Sequence, residues 1–250
     1  MAADLYGYKN ILETQVETQI DILQKQNEIL QQQAYELEQS KLRIIDILGT
    51  VVEGRSLESG EHIRRVKGYT KMLAKKLAER YPEYNLTKDR IEMISNASAL
   101  HDIGKIAIPD SILLKPAKLT KEEFEEMKTH SLKGSELLEN IKGVWDEEYA
   151  KTSYEICRWH HEKYDGRGYP DGLKGEEIPI SAQIVSVADV YDALVSVRVY
   201  KGAFTKQQAF DMIMAGECGQ FSPKLMECFE EVKADFEDLA ERLKSKEETE

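Results

Sequence analysis

The chain has 250 residues, enough for one or two domains, with 41% hydrophobic and 32% charged residues. That balance fits a folded globular protein carrying a long exposed helix and excludes a disordered chain. The formal net charge of -12 excludes non-specific binding along nucleic acid, which needs many lysine and arginine contacts to phosphates.

A small phosphate ester remains admissible if local cations, bound metal ions above all, override the global charge. Cys157, Cys218 and Cys228 form no C-x-x-C pair, and their odd number argues against a disulfide framework, so free thiols in a reducing cytoplasm are expected. The start, MAADLYGYKN, is not a basic stretch leading into an apolar one, so it does not read as a signal peptide. No apolar run reaches the ~18 residues of a membrane span. A cytoplasmic protein with neither a membrane nor a nucleic-acid partner is expected.

Val16, Leu23, Leu30, Leu37 and Ile44 recur at one heptad position, and Ile20, Asn27, Ala34, Lys41 and Leu48 at the other. This predicts a long N-terminal helix over residues 1–48 that forms a coiled coil. Asn27 in the a column favours a parallel homodimer, because a buried amide is best satisfied by the same residue of its partner. The alternative is an amphipathic helix packed on its own domain. Residues 49–250 then form one domain, almost entirely helical. Apolar spacing predicts a helix from Ile63 to Arg80, ending before Tyr81-Pro82. Thr87 caps the next, which runs to Leu100. Thr120 and Glu123 form a capping box ahead of another. Further helices are expected over Glu148–His161, Ile180–Ser196, Lys206–Ala215 and Pro223–Lys244. Tyr164 to Pro179 holds four glycines and two prolines and reads as a long, functional loop. The fold class is all-α.

Five histidines are present: His62, His101, His130, His160 and His161. A lone helical histidine is more often structural than a ligand, but these sit beside acids or one another. His101 precedes Asp102, and His160 precedes His161. Glu58 and His62 are four apart and share a helix face if that segment is helical. Asp189 interrupts the apolar run Ala182–Leu194, where a carboxylate is costly unless paired or bound to a metal. Imidazole and carboxylate without thiolate suit Fe, Mn, Zn, Co or Ni and argue against a structural zinc site. Six or more such ligands exceed what one tetrahedral ion needs. At least two ions are implied, and with them hydrolysis of a phosphate ester. Lys105, one turn beyond His101, places an ammonium beside the cluster for a phosphate.

His62, His101-Asp102 and Asp189 match the H…HD…D pattern of the HD phosphohydrolase superfamily. The strings HDIGKIAIPDSILLKPAKLT, MKTH with Gly134 four residues on, HHEKYDGRGYPDGLKGEEIP and DVYDALVSVRVYK resemble its HD-GYP subfamily over about residues 50 to 230. The resemblance implies an HD-type helical bundle and hydrolysis of cyclic di-GMP to pGpG or GMP with two or three divalent ions, iron or manganese. Carried over by position, it makes His62, His101, Asp102, His130, His160, His161 and Asp189 metal ligands. Glu58 matches an acidic position that permits a third metal in some members. His101, Asp102 and Lys105 would be the catalytic group, and Lys105, Tyr169, Arg198 and Lys201 the substrate contacts. The chain departs from the family's Thr-Ser-Asp-Arg-Pro at Val195-Ser196-Val197-Arg198-Val199, and Ser131 replaces a common proline. The first departure bears on substrate preference. Cyclic GMP-AMP is the alternative substrate, and a non-catalytic dinucleotide receptor signalling through the coiled coil is the alternative class. The N-terminal helix resembles the linker to a receiver domain in response regulators, so an upstream receiver or sensor outside this chain is expected.

Overall fold

The computed structural model describes residues 2–56, 60–140, 145–196 and 203–247. It contains no strand element among them, as the all-α expectation requires. Helix α1 runs Ala2–Arg55. The chain divides into two compact units, Met1–Ile44 and Ile45–Glu250. In the first, Val16, Leu23, Leu30 and Leu37 are each more than half exposed, so the apolar column predicted from the heptad has no cover within that unit.

The second unit is built on α2 (Gly60–Arg80) and α7 (Ile180–Val195). On α2, Val66, Tyr69, Leu73 and Leu77 recur at helical spacing and are fully buried. Helix α7 buries apolar residues on nearly every side, Ala182, Ile184, Val185, Val187, Ala188 and Tyr191 among them, as befits a central helix. Around this pair pack α3 (Lys88–Ala97), α6 (Glu147–Trp159), α8 (Lys206–Met214), α9 (Pro223–Glu231) and α10 (Lys233–Glu247), while α5 (Lys121–Glu139) packs on α6 and the single turn α4 (Asp110–Leu113) on α5. Thr87 and Thr120 cap α3 and α5, the latter through the expected capping box. The single helix expected over Pro223–Lys244 is two. At Val232 the backbone leaves helical geometry, with φ -96° and ψ 8°. Phe229 and Phe236, on either side of this break, both reach Tyr191, with centroids at 5.9 and 5.2 Å.

Helix α5 approaches a short 3-10 helix, Ile103–Ala107, through two glycines. A Cβ on Gly104 would overlap the carbonyl oxygen of His130. One on Gly134 would lie 2.5 Å from Cys157 Sγ and 2.8 Å from Gly104 N. This contact of near-bare backbone brings His130 towards Asp102, and it accounts for the glycines in the HDIGK and MKTH-x-x-x-G strings.

Gly104→Ala should therefore be more damaging than an ordinary surface change. Overpacking costs about 1–3 kcal/mol, and here the obstacle is rigid backbone. Urea denaturation should show a lower midpoint for Gly104→Ala than for wild type. An unchanged midpoint would mean that α5 can shift freely.

Candidate metal centre

Five segments of the chain converge on one point, His101-Asp102 being one of them. His62 comes from the first turns of α2. His101 follows a 3-10 turn, Ser98–Leu100, at the end of α3, and Asp102 stands at the N-cap of the 3-10 helix Ile103–Ala107. His130 comes from α5, His160 and His161 from the end of α6, and Asp189 from α7. His62, His101, Asp102, His130 and His160 are buried, and His161 is half-buried.

The outer nitrogens decide what the inner ones can do. His101 Nδ1 lies 2.8 Å from Ser98 O, His130 Nδ1 2.8 Å from Met127 O, and His160 Nδ1 3.0 Å from Ile156 O. A carbonyl only accepts, so each Nδ1 carries hydrogen. In the neutral ring Nε2 is then a bare lone pair. His62 reaches the same state through a side chain. Its Nδ1 lies 2.8 Å from Asp192 Oδ2, and Arg65 grips Asp192 through Nε at 2.6 Å and Nη2 at 3.1 Å. Such carboxylate–histidine pairs orient metal ligands.

The inward atoms form two groups. Asp102, His130, His160 and His161 each offer a ligand atom, all within 4.8 Å of one another, and Glu53, His62 and His101 do the same. Asp102 joins the groups. Its Oδ1 lies 3.0 Å from His130 Nε2 and 3.6 Å from His160 Nε2, while its Oδ2 lies 3.4 Å from His101 Nε2 and 2.7 Å from Lys105 Nζ. Asp189 Oδ1 lies 3.7 Å from His101 Nε2 and 3.9 Å from His62 Nε2. The Nε2 atoms of His101, His130 and His160 and Oδ1 of Asp102 are buried without a hydrogen bond. Buried lone pairs facing carboxylate oxygens repel unless a cation lies among them. These residues therefore fit divalent metal ions, and neither group contains a cysteine.

The charges act on one another in the same sense. Burial disfavours imidazolium at His101, yet Asp102 and Asp189 raise its pKa well above the ordinary histidine value. At His62 burial is likewise outweighed, by Asp192, and the pKa rises. Burial lowers that of His160, and that of His161 further, with His160 and His130 adding to the effect. Burial would raise the Asp102 and Asp189 carboxyls. Lys105 and His101 hold the first well below the usual range, and His101 and His62 hold the second there.

The loop after α6 folds back on the centre. Glu162 Oε1 accepts from Asp171 N at 2.8 Å and Gly172 N at 2.9 Å. The Asp171 carboxylate accepts from Arg158 Nε and Trp159 Nε1, both at 2.7 Å. A Cβ on Gly168 would overlap Glu162 backbone. The Tyr169 ring thereby stacks on His161, with centroids 4.7 Å apart and planes at 28°.

The structure thus brings together His62, His101, Asp102, Lys105, His130, His160, His161, Tyr169 and Asp189. Glu58, Arg198 and Lys201 lie outside the described residues. Glu53, Arg65, Asp192 and Glu162 were not singled out from the sequence. The signal for Asp192 was available, since it stands one turn after Asp189 in the same apolar run. Glu53 gave none, being one acid among many on a helix rich in them.

A sequence profile described as HD domain matches residues 17–225. A cyclic di-GMP phosphodiesterase of Vibrio cholerae serotype O1 is 43% identical over 200 residues, covering 79% of this chain and 40% of the relative. A 3'3'-cGAMP-specific phosphodiesterase 2 of the same organism is 42% identical over 192 residues, covering 77% and 35%. Among solved structures, a cyclic GMP-AMP specific phosphodiesterase of V. cholerae, V-cGAP3, superposes with a TM-score of 0.56 at 18% identity, over 81% of this chain and 52% of that one. At that identity the likeness concerns the fold. The chain spans about half the length of the curated relatives it matches, or less.

Protons and metal ions compete for the same Nε2 lone pairs. His62 and His101 have raised pKa values, so each holds its proton to higher pH than a free histidine, and an ion must displace it. Metal affinity should rise with pH and fall as pH drops through and below neutrality. Calorimetric titration with Mn²⁺ in buffers of different ionisation enthalpy should show net proton release at pH 7. No buffer dependence would contradict this electrostatic picture.

Proposed function

The chain belongs to the HD domain family, in its HD-GYP branch, and on that premise we propose that it is a metal-dependent phosphodiesterase hydrolysing cyclic di-GMP to pGpG, GMP or both. One observation carries the reading. Buried imidazole nitrogens, each fixed by a hydrogen bond at its outer edge, converge with Asp102 between them.

His62, His101, Asp102 and Asp189 would hold one divalent ion, and Asp102, His130, His160 and His161 a second. Glu58 is the proposed addition for a third. The nitrogen and oxygen donor set admits Fe, Mn, Zn, Co or Ni, and the HD-GYP resemblance points to iron or manganese among them. When bound, such ions supply Lewis-acid stabilisation of the charge that develops on the phosphoryl group. Asp102 and Asp189 stay ionised, the form that binds cations. His101 and Asp102, adjacent in one tight turn, tie the two halves of the centre together. The Lys105 ammonium, 2.7 Å from Asp102, would meet a phosphate oxygen at the edge of the centre. Tyr169 braces His161, and Lys128 Nζ lies over its ring, 5.6 Å from the centroid. Arg198 and Lys201 are proposed to grip the second phosphate or a guanine edge, a task suited to a guanidinium fork.

The relative named as a cyclic di-GMP phosphodiesterase supports the substrate. The cGAMP-specific relative of nearly equal identity supports cyclic GMP-AMP as the second reading, and the departure at Val197–Val199 lies where preference would be set. A non-catalytic receptor has less support, since the chain retains the ligand residues such a receptor would lack. We further propose that α1 pairs with a second copy as a parallel coiled coil and links the catalytic unit to a receiver or sensor domain, as in a response regulator. The exposed column Val16, Leu23, Leu30 and Leu37 and Asn27 support that pairing. No helix among the described residues is long and apolar enough to cross a membrane, and a cytoplasmic location is proposed.

Anaerobically iron- or manganese-loaded protein should convert cyclic di-GMP to linear products resolved by chromatography, with cyclic GMP-AMP run alongside. Asp102→Ala should abolish turnover and lower bound metal, because both halves of the centre lose a ligand. Wild-type rates in that variant after chelation would sink the proposal, and a faster rate on cyclic GMP-AMP would move it to the second reading.

Sedimentation equilibrium should show a dimer. Asn27→Leu should raise its stability while loosening register or oligomer state. A monomer at high concentration for both proteins would refute the coiled coil.

A further inference from the structure

The end of α1 reaches the centre with two side chains, Glu53 and Arg55, that the sequence pattern of ligands does not include. Glu53 is buried, and its Oε2 lies 3.4 Å from Lys105 Nζ. Ser56 Oγ donates to the same Oε2 at 3.3 Å. Lys105 Nζ is thus held between Glu53 and Asp102. Two residues on, Arg55 acts on the backbone that carries Lys105. Its Nη1 donates to Lys105 O at 3.1 Å and Ile106 O at 2.8 Å. Its Nη2 donates to Ile108 O at 3.3 Å and to Asp110 Oδ1 at 2.6 Å.

These contacts answer a local need. The last carbonyls of a helix lack partners within it, and Arg55 binds at the end of the short 3-10 helix Ile103–Ala107, where Lys105 O also accepts from the C-cap Ile108 N and Ile108 O lies just beyond the helix. A guanidinium can do this because its donors form a rigid fork, whereas an ammonium is a point charge. Side chains three apart in a 3-10 helix eclipse, so Lys105 stands directly over Asp102, the residue between the two ligand groups. A lysine otherwise has much rotamer freedom. Here its backbone is tied by Arg55, and its tip is tied by Glu53 on one side and Asp102 on the other.

We propose that Glu53 and Arg55 are positioning residues for Lys105, fixing its ammonium beside the reacting phosphate from the final turn of α1. This rests on the phosphodiesterase reading and on a phosphate-facing role for Lys105. Glu53 also lies within ligand range of His62 and His101, so the alternative role for it is as a further metal ligand. The two roles predict different losses. A positioning residue lowers turnover without changing metal content, and its effect vanishes when Lys105 is absent.

The test is a double-mutant cycle on the metal-loaded full chain. Glu53→Gln and Arg55→Ala are each made alone and combined with Lys105→Ala. Hydrolysis of cyclic di-GMP and of bis(p-nitrophenyl) phosphate is measured together with metal per chain and thermal midpoint. We expect Glu53→Gln and Arg55→Ala each to lower kcat/KM about tenfold with metal content unchanged, and to lower it less than about twofold once Lys105 is alanine. Arg55→Lys should recover only part of the loss. If Arg55→Ala fails to fold, Arg55→Gln, which can still bond one carbonyl, carries the same cycle. Losses that multiply fully with that of Lys105→Ala would overturn the proposal, as would loss of metal in Glu53→Gln. An active wild type with such results leaves the phosphodiesterase reading standing. A metal-loaded wild type inactive on both diesters overturns that reading, and this proposal with it.

Discussion

A buried carboxylate surrounded by imidazole lone pairs is an unfavourable arrangement in isolation, and Asp102 occupies that position. Its two oxygens face different groups, His130 and His160 on one side, His101 and Lys105 on the other. Desolvation opposes its ionisation, while Lys105 and the histidines sustain it. The remaining architecture answers that demand. Four of the five histidines are turned by bonds at their outer nitrogens, three to carbonyls of their own helical turns and one to Asp192. Their orientation is therefore a property of the protein fold and does not wait for an ion to impose it.

Backbone proximity makes this possible. Asp102 meets His130 only because α5 and the 3-10 helix after Asp102 touch through Gly104 and Gly134, where no side chain intervenes. A similar economy governs the loop of Gly168, Tyr169 and Pro170. Gly168 lets the loop lie on the backbone of Glu162, whose own carboxylate collects two loop amides. The ring of Tyr169 then closes over His161. The glycines of the sequence strings thus shape the centre without contributing a ligand.

Much of this was legible in the sequence, and the division has physical reasons. Helical periodicity and capping chemistry are local, so Thr87 and Thr120 announce their helices. The break at Val232 was hidden, because it follows from the packing of Phe229 and Phe236 on Tyr191, which no local pattern encodes. The ligand types could be read from their rarity. With five histidines in the chain, each stands out beside an acid or a neighbour. Asp189 stood out against an apolar run, and Asp192 would have done so by the same reasoning. Glu53 could not be distinguished, since α1 is rich in acids and only the tertiary fold buries this one. Arg55 looked like an ordinary cation in a last helical turn.

The helices that supply the centre lie far apart along the chain. His62 and its partner Asp192 are separated by 130 residues, and the other histidines, Asp102 and Asp189 fall between them. No short stretch of the chain carries more than two of the centre's candidate ligands, so the unfolded polypeptide is a poorer chelator than the folded one. Metal capture at this centre would then depend on the packing of α2 against α7. An ion that binds the folded form far better than the unfolded one stabilises it by mass action. Availability of the metal would thus bear on how long the protein lasts, so that a cell poor in that metal would hold less of it.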